Sequence, residues 1–213
     1  MAKRPRRQPT AKDIGDRIID ATLELIVVHG WSPLPLSQIA RSTGLSLEDL
    51  YATFPSKAAI LSAYFRRVDT MMASAIAPEG EPDATARDRV FEVVMARFDA
   101  LAPQKEAVRT IVRDLRCDPA ASLCAAPTLR RSVRWMLECA DLSSTGIKGL
   151  LRVNGLAVIY LRAFGVWLRD DSDDMAKTMA SLDNQLARAE NFIRRSRLFE
   201  GTRSHADISS SAI

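Results

Sequence analysis

Near the start of the chain, apolar residues recur at Ile14, Ile18, Ala21, Leu25 and Val28, a four-three-four-three spacing that stacks them on one face of a helix. Gly30 predicts a stop there in a left-handed C-terminal cap, with His29 beside the last carbonyls of the helix. Trp31 through Pro35 read as a short connection, and a second helix is predicted over about Leu36 to Ser42, ahead of Gly44. A third follows almost at once. Ser46 caps it, Asp49 stands three residues on in place of the Glu of a capping box, and Pro55 ends it after Phe54. Ile39, Ala40, Leu45, Leu50 and Phe54 let these two short helices cross through Ser42, Thr43 and Gly44, with the first helix holding the pair. This is a helix-turn-helix pattern that leaves the outer face of residues 46 to 53 free to enter a groove.

Beyond Lys57 a long helix carries Ile60, Leu61, Tyr64, Phe65, Val68, Met71, Met72 and Ile76 and ends before Pro78-Glu79-Gly80-Glu81-Pro82. Helical spacing resumes through Val90, Val94, Phe98 and Leu101, then Val108, Ile111, Val112 and Leu115, then Val133, Met136, Leu137 and Ala140, with Pro103, Pro119 and Pro127 as punctuation. From Val153 to Leu168, sixteen residues hold only Asn154 and Arg162 as polar side chains. That stretch is short of the roughly 20 apolar residues a membrane span needs and reads as a helix buried nearly all round. The last long helix repeats Met175, Met179, Leu182, Leu186, Ala189 and Ile193, a seam that packs against another helix. Together these two helices offer apolar surface for a dimeric four-helix bundle, so a homodimer through the last two long helices is expected.

The composition agrees with an all-α chain. Of 213 residues 47% are hydrophobic and 6% aromatic, Gly and Pro are sparse, and Ala, Leu and Arg abound. A chain of this length buries about 70% of its unfolded surface, enough to fold without metal or disulfide. The net charge of +4 is concentrated. Lys3, Arg4, Arg6, Arg7 and Lys12 fall within the first twelve residues, which leaves 25 basic against 26 acidic groups in the rest. Such an arm fits an anionic partner, nucleic acid before acidic membrane, or serves as a solubilising tail. No apolar stretch of a secretory signal follows it. Cys117, Cys124 and Cys139 have neither metal-ligand nor disulfide spacing, and His29 and His205 lie far from them. Free cysteines of this kind are expected as small buried hydrophobes, and a reducing cytoplasm is the compartment expected. No cofactor is expected.

Residues 14 to 57 carry Gly30-Trp31, Gln38-Ile39-Ala40, Gly44-Leu45-Ser46 and Leu50-Tyr51-Ala52-Thr53-Phe54-Pro55-Ser56-Lys57. This segment resembles the DNA-binding domain of TetR-type transcriptional regulators, and its Leu-Tyr-x-x-Phe-x-x-Lys core is much narrower than a generic helix-turn-helix pattern. The resemblance implies a homodimer whose third helices enter successive major grooves of an operator duplex. It places Ser46 at the start of the recognition helix and Tyr51 and Lys57 against phosphate. With Leu47, Glu48, Asp49, Thr53 and Arg41 these are the candidate DNA-binding residues. The chain departs from the family where its second helix opens with Leu34-Pro35-Leu36-Ser37, and where Leu47, Glu48, Asp49 and Thr53 occupy commonly basic, small or His positions. Between Leu36 and Ser56, Arg41 faces Glu48 and Asp49, a net charge of −1. Affinity for duplex DNA comes largely from neutralised phosphates, whereas acidic side chains accept from cytosine N4 and suit a helix N-terminus.

The segment Val166-Trp167-Leu168-Arg169-Asp170-Asp171-Ser172, with Leu182-Asp183, is similar to the C-terminal region of lipid-binding accessory proteins of ubiquinone biosynthesis, which share the TetR-like fold. This implies a small apolar or lipid-like effector, or a lipid- or isoprenoid-binding protein that no longer binds DNA. Met95, Trp135, Met136, Tyr160, Arg162, Phe164 and Trp167 are the pocket candidates, equally readable as core. Arg162 and Asn154 are satisfied within the core, face a bundle interior, or anchor a polar headgroup. Expected boundaries are a basic arm over 1–12, the helix-turn-helix domain over 13–57, a helical ligand-binding and dimerisation domain over 58–199, and a polar tail over 200–213. No hydrolase, nucleotide or metalloprotease motif occurs, and Asp170-Asp171 and Asp173-Asp174 are read as capping a helix start, so an enzyme is not expected.

Overall fold

The computed structural model describes the backbone of residues 10–76 and 83–209, and side chains up to Arg194 other than those of 120, 121 and 193. Lys3, Arg4, Arg6 and Arg7 of the arm, the break at 78–82, the Ile193 side chain and the end of the tail lie outside the described residues. Every regular element described is helical: α1 Ala11–His29, α2 Leu36–Thr43, α3 Leu47–Thr53, α4 Lys57–Ala75, α5 Ala86–Leu101, a 3-10 turn Ala102–Gln104, α6 Lys105–Arg116, α7 Pro119–Cys139, α8 Gly146–Trp167 and α9 Ala176–Ser209. The all-α expectation holds. Two compact units form, one of residues up to Met72 with Asp99–Ser132, the other of Ala73–Phe98 with Val133 onward.

In the first unit α1 begins at a capping box that the pattern of apolar residues does not reveal. Thr10 Oγ1 accepts from the Asp13 N–H at 3.2 Å, and the Asp13 carboxylate accepts from the Thr10 N–H at 2.8 Å. The buried face of α1 is Ile18, Ile19, Thr22, Leu23 and Ile26, while Val28 is 75% exposed. The stripe predicted through Val28 is therefore corrected. Residues 18 to 28 are apolar on more than one side, and tertiary packing selects which side turns inward. Gly30 is corrected too. Its φ of 85° needs glycine, but its ψ of 166° is not the left-handed helical value, because the chain turns away to place Trp31 and Ser32. Trp31, Leu34, Ile39, Ala40, Leu50, Ile60, Leu61, Tyr64, Val68 and Met72 complete this core with Ala107, Val108 and Ile111.

Pro127 lies inside α7 and does not end it; Pro119, at the first helical position, does mark a boundary. Cys117 and Cys124 are exposed and Cys139 half-buried, against the expectation of buried thiols, because all three fall at helix ends or on outer faces.

In the second unit α8 buries Gly149, Val153, Leu156, Tyr160, Ala163 and Trp167, again at four-three spacing. Gly149 is required, since a Cβ there would run into the Ser144 backbone carbonyl. The prediction of a helix buried nearly all round is overturned. Ile147, Leu151, Val158 and Leu161 are 82, 67, 49 and 49% exposed, and Asn154 and Arg162 share that outer side. Two interleaved stripes, one packed and one open, produce a composition that cannot be told from full burial. On α9, Thr178, Leu182 and Leu186 are buried, while Met175 precedes the helix with a φ of 51°. Asp170 and Asp174 do serve the start of α9: Asp174 accepts from the Ala176 N–H at 3.1 Å and Asp170 from the Thr178 N–H at 2.9 Å.

Candidate nucleic-acid interface

The α2–α3 pair is built by local chemistry. Gly44 adopts the left-handed conformation, φ 68° and ψ 22°, and its N–H closes the end of α2 on Ala40 and Arg41 carbonyls. Thr43 is buried and turns its hydroxyl to the Ile39 carbonyl at 2.9 Å, while Arg17 of α1 donates to the Thr43 carbonyl at 2.9 Å. Ser46 then caps α3: its Oγ accepts from the Asp49 N–H at 3.0 Å and donates to Asp49 Oδ2 at 2.6 Å. The reciprocal bond of a capping box is thus made hydroxyl to carboxylate. Leu50 is fully buried against this frame.

What remains on the outside of α3 is Ala52 together with the candidates Leu47, Glu48, Asp49, Tyr51 and Thr53. Leu47 is 52% and Tyr51 62% exposed, and Glu48, Asp49, Ala52 and Thr53 are also exposed. Leu47 and Tyr51, and Glu48 and Ala52, are pairs four residues apart, so they form two adjacent rows on one face. The Thr53 hydroxyl donates to the Asp49 carbonyl at 3.0 Å. Arg41 is exposed on α2, its Nε 3.3 Å from the Ser37 carbonyl.

Lys57 differs from the rest. It opens α4 half-buried, its Nζ donating to the Trp31 carbonyl at 2.8 Å and the Ser32 carbonyl at 3.0 Å, 4.9 Å from the Trp31 ring centre. Removal from water lowers its ammonium pKa, and the Asp114 carboxylate opposes that shift. Asp114 of α6 is the residue sequence reasoning missed. Its Oδ2 accepts from the Trp31 N–H at 2.8 Å and the Ser32 N–H at 3.1 Å, across 83 and 82 residues, a separation no local spacing reveals.

The pocket candidates fall in the second unit or on its helices. Phe98, Tyr160, Phe164 and Trp167 stack on one another at ring separations of 5.5 to 6.4 Å, and Arg97 donates to the Tyr160 hydroxyl at 3.2 Å. Met136 is buried and Met95 half-buried. Trp135 is 46% exposed and Arg162 exposed, so these two stand outside the stacked group.

Residues 18–64 match the family of bacterial regulatory proteins described as tetR. The chain carries a TetR-family helix-turn-helix domain. The likeness extends over most of the fold. A TetR transcriptional regulator from Nitrosomonas europaea ATCC 19718 superposes with a TM-score of 0.67 at 28% identity, covering 83% of this chain and 98% of that one. A TetR transcriptional regulator from Rhodococcus sp. RHA1 gives 0.60 at 17% identity over 84% and 96% of the two chains. A further TetR-family structure from Rhodococcus sp. gives 0.57 at 16% over 82% and 97%. The last two speak to the fold alone. No curated protein matches the chain. The exposed face of α3 lies within the matched residues, and the Lys57–Trp31 contact ties the start of α4 to the α1–α2 connection.

Proposed function

We infer that the chain is a dimeric, ligand-responsive DNA-binding regulator that represses transcription. The observation that carries this reading is the TetR-family domain with a capped α3, seated by the buried Leu50, whose outer face is exposed. Ser46, Leu47, Glu48, Asp49 and Thr53 lie along the groove, with Tyr51, Arg41 and Lys57 toward phosphates. Lys57 has three N–H donors and directs two at carbonyls, which leaves one for an oxygen of the DNA backbone.

The homodimer is supported by the open stripe of α8 and by Phe192 of α9, 73% exposed. By length and composition α8 is long enough to cross a membrane, with 28% of its apolar window buried. Lys148, Arg152, Asn154 and Arg162 nevertheless punctuate its exposed side, and charges at mid-helix suit a protein interface better than hydrocarbon. A two-fold dimer would set the two α3 helices about one DNA turn, roughly 34 Å, apart. The effector is small and apolar or lipid-like, taken by the aromatic group of the second unit. It acts through different affinities for two head spacings, as linkage requires.

A lipid-binding protein without DNA affinity is the second reading, favoured by the net charge of −1 between Leu36 and Ser56. Fluorescence anisotropy against DNA from upstream of the chain's own coding region and against a scrambled duplex, at two salt concentrations, separates the two. Tight, sequence-dependent binding supports the regulator. Weak, indifferent binding supports the lipid-binding protein.

A further inference from the structure

Between Ser46 and Thr53 the chain reads Ser-Leu-Glu-Asp-Leu-Tyr-Ala-Thr, with no Arg, Lys, Asn or Gln. Those four side chains make the bidentate contacts to guanine O6 and N7 and to adenine N6 and N7. The hydroxyls do not supply the missing donors. A hydroxyl has one proton, and those of Ser46 and Thr53 are directed at Asp49 Oδ2 and the Asp49 carbonyl. Asp49 is in turn occupied by Ser46 at the helix start. With the Tyr51 phenol assigned to phosphate by the DNA-binding reading, α3 offers a base edge only acceptors and apolar surface.

In the major groove the complement of an acceptor is an amino group, and the complement of apolar surface is the thymine methyl. Guanine presents only acceptors on its own edge, and adenine sets its N7 acceptor beside the N6 amino group, so a carboxylate is repelled at either purine. We propose that α3 reads pyrimidines, with Glu48 accepting from cytosine N4 and Leu47 and Ala52 packing on thymine C5 methyls. This rests on the DNA-binding reading above and names the edges that reading leaves open. Discrimination is obtained here at the expense of phosphate attraction, which fits the net negative head and assigns affinity to the cations around it.

The test selects preferred duplexes from a random pool with the full-length protein, then measures binding to two altered forms of the selected site. Replacing thymine by uracil within the half-site removes the methyl and nothing else, and is expected to weaken binding about four-fold per contacted methyl. Glu48→Gln, with helical content unchanged, is expected to move the preference at one position per half-site from cytosine to adenine by about ten-fold, since Gln pairs with adenine N6 and N7. Equal binding of uracil DNA together with an unaltered base preference in Glu48→Gln would overturn the proposal while leaving DNA binding intact. A protein that enriches no sequence at all overturns the DNA reading, and this inference falls with it.

Discussion

Lys57 and Asp114 hold opposite sides of the same two residues: the carboxylate accepts the N–H groups of Trp31 and Ser32, and the ammonium donates to their carbonyls. Four polar groups of a connection with no regular hydrogen bonding are thereby satisfied, and the start of α4 and the last turns of α6 are fixed to one point on the helix-turn-helix frame. Burial pushes the Asp114 carboxyl up, but the Ser32 and Trp31 N–H bonds and Arg113 outweigh it and hold its pKa below the ordinary 3.8. Asp114→Ala is expected to lower stability by about 1–2 kcal/mol in urea titration. Combined with Lys57→Ala the effects should not add, with a coupling of about 0.5 kcal/mol or more. Strict additivity would show that the two side chains do not act on the connection as a unit. A depressed carboxylate contributes above its unfolded pKa and loses that contribution as pH falls through the folded value, so the cost of Asp114→Ala should shrink below about pH 4.

Local signals explain which features are legible in the sequence. The turn at Gly44, the Ser46 cap and the stop before Pro55 depend on neighbours within a few residues, and each is where periodicity and capping chemistry put it. Burial choices are less legible. Val28 and the outer stripe of α8 are apolar like the residues that are buried, and only a partner surface distinguishes them. The Asp114 grip joins residues 83 apart, and nothing about an Asp in the last turn of an amphipathic helix announces it. The same holds for Arg97 on α5, whose guanidinium is buried, whereas Arg162, the cation that stands out within the apolar stretch, is exposed.

Asp170 offers a test of the second unit by itself. It is 1% exposed; its Oδ1 accepts from the hydroxyl and N–H of Ser172, and its Oδ2 from the hydroxyl and N–H of Thr178. Burial favours the neutral acid, yet these four bonds prevail and hold the carboxyl far below its ordinary value. Asp170→Asn keeps the shape but sets an NH2 group against donors, and is expected to cost about 3 kcal/mol at pH 7. Because the folded pKa is the depressed one, the carboxylate's contribution is complete well above pH 3.8 and falls away in acid. The gap between wild type and variant should therefore narrow from pH 7 to pH 3. A gap that stays constant would mean that charge is not what the four bonds recognise.

The open stripe of α8 makes the oligomeric state a sharp question. Leu151 and Val158 are exposed within the chain, so replacing them disturbs little of its own core. Wild-type protein is expected to sediment as a dimer, and Leu151→Glu with Val158→Glu as a monomer of unchanged helical content, because the two-fold would bring like charges together in a dry interface. A doubly substituted protein that remains dimeric would move the interface away from α8.

The basic arm should act through counterions, and the cap at Thr10 dictates how to remove it. Deleting the first twelve residues would take away the Thr10–Asp13 capping box, so a drop in affinity would mix a frayed α1 with missing charge. Removing residues 2–8 instead takes Lys3, Arg4, Arg6 and Arg7 and leaves Thr10 in place. Each phosphate that a cation ceases to neutralise makes the dependence of log K on log salt shallower by about 0.9 on B-form DNA. If all four cations meet phosphates, the slope should become shallower by roughly 3 to 4, with the ratio of specific to scrambled binding little altered. An unchanged slope would remove the arm from the interface and leave Arg41, Lys57 and Lys12 to offset the negative charge of the reading head.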